Sequence, residues 1–237
     1  MYFRRARAPP IFVFYQTNAS TTMTTAVPNL LHPRLQSLCD ELTSTKEEIP
    51  EERQYKLRTL SHYISEQLKQ GVQARLVVVC THNSRRSHIG QLWLATAAAY
   101  YGISGVETYS GGTEATALHP NAVAALRRAG WETLAPDTDA TNPRYSVSWR
   151  ADQEPYLAFS KRYQEAPNPD HRFAAVMVCT EADADCPVIV GCDLRQPLPY
   201  EDPKAYDSTP RQDEAYDTTV RLIGREMLWM MEQANLS

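Results

Sequence analysis

The sequence predicts an α/β fold: a single domain with a central parallel sheet flanked by helices, preceded by N-terminal helices and carrying an inserted β-hairpin. Three observations carry this. Leu76-Val77-Val78-Val79 and Phe173 to Val178 are short unbroken apolar runs, as expected of strands covered on both faces. Between and after them lie stretches with helical periodicity. The two kinds alternate, which is the pattern of a parallel sheet joined by right-handed crossovers.

Taken in order, residues 29–70 read as two helices. Leu31, Leu35, Leu38 and Leu42 recur at helical spacing, and after the Glu47-Glu48-Ile49-Pro50 break so do Leu57, Leu60, Ile64 and Leu68, with Gly71 as the stop. Cys39 and His62 read as packing or surface residues. The strand Leu76–Val79 leads into the loop Cys80-Thr81-His82-Asn83-Ser84-Arg85-Arg86-Ser87, and Ile89 to Tyr100 reads as a helix. Val106 to Tyr109 is a second strand, ending in Ser110-Gly111-Gly112. A helix from Pro120 to Arg128 follows, with Pro at its first turn and Gly130 as its stop. Residues 136–172 break the rhythm. Tyr145 to Trp149 alternates with period two, as does Tyr156 to Tyr163, and the flanks are rich in Pro, Asn and Asp, so a hairpin is inserted here. Thr209-Pro210-Arg211-Gln212 has the form of a capping box opening a last helix, whose apolar face is Tyr216, Val220, Ile223, Met227 and Met230. The expected organisation is thus a tail or early-called start over 1–28, a helical extension over 29–72 and the α/β domain over 73–237, interrupted at about 136–172.

Bulk properties narrow the function. The 237 residues carry 24 basic and 28 acidic side chains, a net charge of −4, so no nucleic-acid partner is implied. No apolar run approaches 18 residues, so no membrane span is expected. The start is basic and free of acids, with an apolar run of only Ile11 to Tyr15, too short for a secretory signal. It suits a transit peptide less well than a disordered tail, or a start called too early with Met23 as the true first residue, and Asn18-Ala19-Ser20 reads as a chance sequon. Five cysteines (Cys39, Cys80, Cys179, Cys186, Cys192), an odd number without an export signal, point to a reducing, cytoplasmic setting. Cys192 reads as structural. No metal site or cofactor is expected.

The chemistry concentrates in the loop after the first strand. In open α/β sheets, ligands bind at the carboxyl ends of the strands. Successive backbone N–H groups in such a turn make a nest for an anion, and the helix that follows adds its positive end. That field is expected to favour a thiolate at Cys80, in the range of roughly 3.5–7.5 known for cysteines so placed. Arg86 offers a planar fork for two oxygens of phosphate or arsenate. Ser87 is placed to donate to the sulfur, and Asn83 to pin the loop; Thr81, His82, Ser84 and Arg85 complete the cradle.

With these residues the sequence resembles the low-molecular-weight tyrosine phosphatase superfamily, which includes the thioredoxin-coupled arsenate reductases. The resemblance runs from Leu76 to about Met231. It rests on the loop and its strand, Tyr109-Ser110-Gly111-Gly112-Thr113-Glu114, Cys179 to Pro187, and Glu201-Asp202-Pro203. It implies the phosphotyrosine phosphatase I-like fold, Cys80 as nucleophile, and Asp202 as the general acid that protonates the leaving oxygen. In Cys179-Thr180-Glu181-Ala182-Asp183-Ala184-Asp185-Cys186-Pro187 the second cysteine follows the first by seven residues, and Asp202 stands sixteen further on, a spacing similar to that of the reductases.

For a reductase, the resemblance implies a relay. Cys80 attacks arsenate, Cys179 attacks Cys80 to release arsenite, and Cys186 attacks Cys179 to form a disulfide that thioredoxin reduces. The Ala-rich segment between Cys179 and Cys186 is expected to be a helix that unwinds. There are departures. Arg85 occupies a position that is usually Cys, His82 one that is commonly Gly, and Gln91 replaces an acid that binds potassium in some reductases, so that ion site is not carried over. Lys204-Ala205-Tyr206 replaces the paired tyrosines that follow Asp-Pro in phosphatases. Three readings stay open: arsenate reductase, tyrosine phosphatase acting through a Cys80 phosphocysteine, and a catalytically silent binding module.

Overall fold

The computed structural model describes residues 31–135, 140–185 and 188–236. The expectations for 1–28 and for Cys186 therefore lie outside the described residues, as does 136–139 of the insertion. In chain order the elements are α1 (Pro33–Ser44), α2 (Glu51–Lys69), β1 (Ala74–Cys80), α3 (Arg86–Tyr100), β2 (Val106–Gly112), α4 (Pro120–Ala129), β3 (Glu132–Leu134), β4 (Tyr145–Ser148), β5 (Tyr156–Ala158), β6 (Phe173–Met177), α5 (Thr180–Asp185), β7 (Cys192–Pro197) and α6 (Gln212–Leu236). Short 3-10 turns lie at Lys46–Glu48 and Pro203–Tyr206.

The central sheet has the order β2-β1-β6-β7 and every pairing is parallel. The protein is therefore α/β, with a four-stranded parallel sheet flanked by helices. β1 lies inside the sheet, and Leu76 through Val79 have no solvent exposure, which is why this strand reads as an unbroken apolar run. Helix α6 is the hub on one flank: α1, α2, α3 and α4 all pack against it. Its face of Tyr216, Val220, Ile223, Met227 and Met230 is buried as the periodicity requires. No described helix is long and apolar enough to cross a membrane.

Three local differences from the sequence reading have physical causes. The hairpin β4–β5 exists, but β3 joins it to make a three-stranded antiparallel sheet of order β3-β4-β5. Residues 159–163 do not extend β5. They turn to the central sheet, where Lys161 O accepts from Gly112 N and Tyr163 N donates to Gly112 O, both at 2.9 Å. The capping box is displaced: Gln212 Oε1 accepts from Ser208 N at 2.9 Å, while the Thr209 hydroxyl donates to Tyr206 O at 2.7 Å, so α6 opens only at Gln212.

Candidate active site

β1 and β6 are neighbours in register, Val79 opposite Met177, so the chain leaves their carboxyl ends side by side at Cys80 and Cys179. The loop after β1 is shaped by Asn83, which takes a left-handed φ of 45°, a conformation asparagine tolerates better than most residues. Its side chain is spent on the loop's neighbours. Nδ2 donates to Ser87 Oγ at 2.9 Å, and Oδ1 accepts from Lys161 N at 2.9 Å. Asn83 O lies 3.0 Å from Nε2 of the buried His88. A carbonyl only accepts, so Nε2 carries the proton and Nδ1 faces the Ser110 hydroxyl at 3.4 Å as acceptor. Burial, reinforced by the Lys161 cation, pushes the His88 pKa down to about 3, so the ring is neutral.

Gly111 and Gly112, quoted above only as part of a motif, have a steric reason. A Cβ on Gly111 would stand 2.4 Å from Tyr163 Cα, and one on Gly112 would stand 2.6 Å from Thr81 O. The end of β2 is thus wedged between the Cys80–Ser87 loop and the returning insertion.

Cys80 Sγ lies 3.0 Å from Ser87 Oγ, and the backbone N–H groups of Ser84 and Ser87 also reach the sulfur. The expected low thiol pKa is not found. Burial is the largest influence and pushes the Cys80 thiol up, Cys179 adds to that, and the Ser87 hydroxyl and the two N–H groups pull the other way. Arg86 is buried, with Nη1 donating to Tyr200 O at 2.8 Å and Nη2 to Asp202 Oδ2 at 2.6 Å, so its charge is already engaged. The other Asp202 oxygen accepts from Lys204 N at 3.0 Å, capping the Pro203–Tyr206 turn. The 198–202 segment thereby sets the carboxylate against the loop arginine. A cleft of about 210 Å³ runs beside Asp202, with Tyr206, Arg211 and Thr218 among its walls.

The remaining loop residues divide by role. Thr81 Oγ1 lies 3.4 Å from Cys179 Sγ, which also accepts from Ala182 N at 3.4 Å at the start of α5. His82 faces Glu114 at 3.8 Å and its carbonyl takes the hydroxyls of Thr116 and Ser160. Ser84 O accepts from His119 N at 2.9 Å. Arg85, read as part of the cradle, has its guanidinium committed elsewhere: Nε donates to Tyr216 Oη at 2.7 Å and Nη2 to Asp207 Oδ2 at 2.9 Å. Asn121 Nδ2 donates to the other Asp207 oxygen at 3.0 Å. Arg85 therefore ties the loop to α4 and α6.

The structure thus gathers Cys80, Asn83, Arg86, Ser87, Asp202 and Cys179 at one end of the sheet. The sequence reading missed Lys161, Asp207 and Tyr200, which hold these residues from behind and carry no local spacing signal, and it read Tyr216 only as part of an apolar helix face. Cys39 is fully buried, and burial raises its thiol to about 12, in keeping with a packing role. Among the described residues no group of three or more His, Cys, Asp or Glu is placed to hold a metal ion.

No protein-family model and no curated protein matches the chain. Among solved structures it is similar to a low-molecular-weight phosphotyrosine phosphatase from Vibrio cholerae, at 17% identity and a TM-score of 0.44, over 67% of this chain and 95% of that one. It is also similar to an arsenate reductase from Archaeoglobus fulgidus, at 14% identity and a TM-score of 0.42, over 66% and 98%. A third is an arginine phosphatase from Geobacillus stearothermophilus, at 14% identity and a TM-score of 0.38, over 69% and 91%.

Proposed function

We propose that this chain is a cysteine-nucleophile enzyme acting on a tetrahedral oxyanion, and that it works as an arsenate reductase-like thiol relay. The observation that carries the redox reading is the position of Cys179. It leaves the strand beside β1, and its buried sulfur lies 3.4 Å from the hydroxyl of Thr81, the residue next to the nucleophile.

In this reading an incoming arsenate takes the Arg86 fork from Asp202 and Tyr200 O, and the loop N–H groups bind its other oxygens. The Cys80 sulfur forms a bond to arsenic as one oxygen departs, protonated by Asp202 and lost as water. Cys179 then attacks the Cys80 sulfur. The S–S bond forms, the S–As bond breaks, and its electron pair stays on arsenic, which leaves as arsenite. Cys186, which lies outside the described residues, attacks Cys179 and frees the Cys80 thiolate. The Cys179–Cys186 disulfide is returned to two thiols by an external dithiol of the thioredoxin class.

A second reading rests on Asp202 and its cleft. With a phosphomonoester, Asp202 protonates the leaving alkoxide and later activates water against the Cys80 phosphocysteine, as in a tyrosine phosphatase. Tyr206, with the Arg211 guanidinium over its ring 4.9 Å from the centre, stands in the cleft wall where an aryl leaving group would lie. Arsenate reduction coupled to thioredoxin, thioredoxin reductase and NADPH separates the two. Cys179→Ser and Cys186→Ser should each abolish reduction, and Cys80→Ser should abolish every activity. A wild type that hydrolyses aryl phosphate, never reduces arsenate, and is indifferent to both serine variants would sink the relay and leave the phosphatase. A wild type that does neither would leave only the silent binding module.

A further inference from the structure

The sequence offered no chemical reason for the helices over 29–70, but one of their residues reaches the candidate active site. Arg53 on α2 donates through Nε to Glu226 Oε1 at 2.9 Å and through Nη2 to Glu226 Oε2 at 2.5 Å. Its third arm, Nη1, donates to Pro199 O at 3.0 Å, and the guanidinium lies over the Tyr200 ring, 4.7 Å from its centre. Tyr200 closes the cluster by donating its hydroxyl to Glu226 Oε2 at 2.6 Å. Tyr200 and Glu226 are buried.

Tyr200 is also the residue whose carbonyl takes one arm of Arg86, two positions before Asp202, which takes the other. On its other side the same segment is tied to β6, with Leu198 N donating to Met177 O at 2.8 Å and Tyr200 N to Val178 O at 3.1 Å. Residues 198–202 are thus fixed between the sheet and a planar fork that only arginine supplies. Both Arg86 and Asp202 take their reference from that segment. We propose that Arg53 is a positioning residue for the oxyanion site: it sets the Pro199–Asp202 backbone against which Arg86 and Asp202 are aligned, and so makes the N-terminal helices part of the catalytic apparatus. This rests on the proposed function of Cys80, Arg86 and Asp202, and extends it to a residue that touches none of the reacting atoms.

Two variants test it. Arg53→Lys can keep the ion pair with Glu226 but cannot also donate to Pro199 O in the same plane. The double variant Arg53→Met/Glu226→Gln removes the brace without leaving a buried carboxylate unpaired. Each is followed by thermal melting, by kcat/KM for whichever of arsenate reduction or aryl phosphate hydrolysis the wild type performs, and by the inorganic phosphate concentration that half-protects Cys80 from iodoacetamide. The expected result is a melting temperature for Arg53→Lys within a few degrees of wild type, with kcat/KM lowered about 10- to 100-fold, the scale of an ångström-sized misplacement. The half-protecting phosphate concentration should rise as well. Variants whose kcat/KM and phosphate protection stay within about twofold of wild type would overturn the positioning role while leaving the proposed function standing. A purely structural role would show as lost melting temperature alone. A wild type whose Cys80 phosphate does not protect at any concentration would instead overturn the proposed function, and this role with it.

Discussion

At Cys80 two influences oppose each other. Desolvation raises the thiol, while the Ser87 hydroxyl and two backbone N–H groups lower it, and the balance is upward. The Ser87 hydroxyl is thus one of the few groups that favour the thiolate. Ser87→Ala removes that hydrogen bond and should raise the Cys80 thiol further. Because the thiolate is the species that is alkylated, the pH profile of iodoacetamide reaction at Cys80 should move to higher pH, with a slower rate at pH 7. A profile that stays in place or moves to lower pH would remove Ser87 from the activation of Cys80. Cys80, Arg86 and Ser87 were legible in the sequence because they sit within eight residues of one another, between a strand and a helix. Asp202 was legible only through the family resemblance. Arg53 and Glu226 were not, since 173 positions separate them and tertiary packing alone unites them.

The insertion shows the same contrast for whole elements. Its alternating strands were readable, but its return path was not, and that path places Lys161 under the Cys80–Ser87 loop. The Lys161 backbone supports Asn83 and Gly112, while its side chain is almost fully buried, with Tyr156 Oη and Phe159 O each at 3.5 Å and Nζ over the Phe159 ring, 4.8 Å from its centre. Burial lowers its pKa from 10.5 to about 8, partly opposed by Glu165. The sign follows from proton binding. Below pH 8 the amine is charged in both states and the cost of burying it is fully present. Between pH 8 and 10.5 the unfolded chain holds more protons, so stability rises with pH. The shift corresponds to about 3 kcal/mol. Lys161→Met should therefore be more stable than wild type at pH 7 by about 2–3 kcal/mol, with the gap closing towards pH 10, as read by urea unfolding at both pH values. A gap that does not narrow would mean that the Phe159 ring and the two oxygens compensate the ammonium for its burial. The strand β7 was missed for a different reason: it is an edge strand, half-exposed, and Cys192-Asp193-Leu194-Arg195-Gln196-Pro197 carries no apolar run.

For the molecule as a whole, the question is whether α1 and α2 form an appendage or part of one cooperative unit. The sequence divided them from the α/β region by composition and motif, neither of which senses packing. The contacts run along most of α6. Glu41 pairs with Arg221, Glu48 with Arg225 at 2.5 Å, Arg53 with Glu226, and Lys46 with Glu232 at 2.8 Å. Ser61 Oγ donates to Met230 O at 2.8 Å and Ser65 Oγ to Ala234 O at 3.1 Å, both from buried positions. Gly224 lets Leu42 and the Trp93 ring approach so closely that a Cβ there would stand 2.9 Å and 2.5 Å from them. The exposed ion pairs contribute little, about 0–1 kcal/mol each. The weight lies in the apolar seam, where Leu42, Leu57, Leu60 and Ile64 are wholly buried in the same core as Ile223 and Met227. At about 1.5–3 kcal/mol per buried aliphatic side chain, that seam is comparable with the net stability of a whole domain. An element whose removal costs that much cannot melt separately. Calorimetry of the full chain should then show a single transition with matching calorimetric and van't Hoff enthalpies, and a chain beginning at residue 71 should fail to fold cooperatively. Two resolved transitions, or a cooperative melt of the shortened chain, would instead make α1 and α2 a separable module. In that case Arg53 would have to act on the active site from a unit that can detach from it.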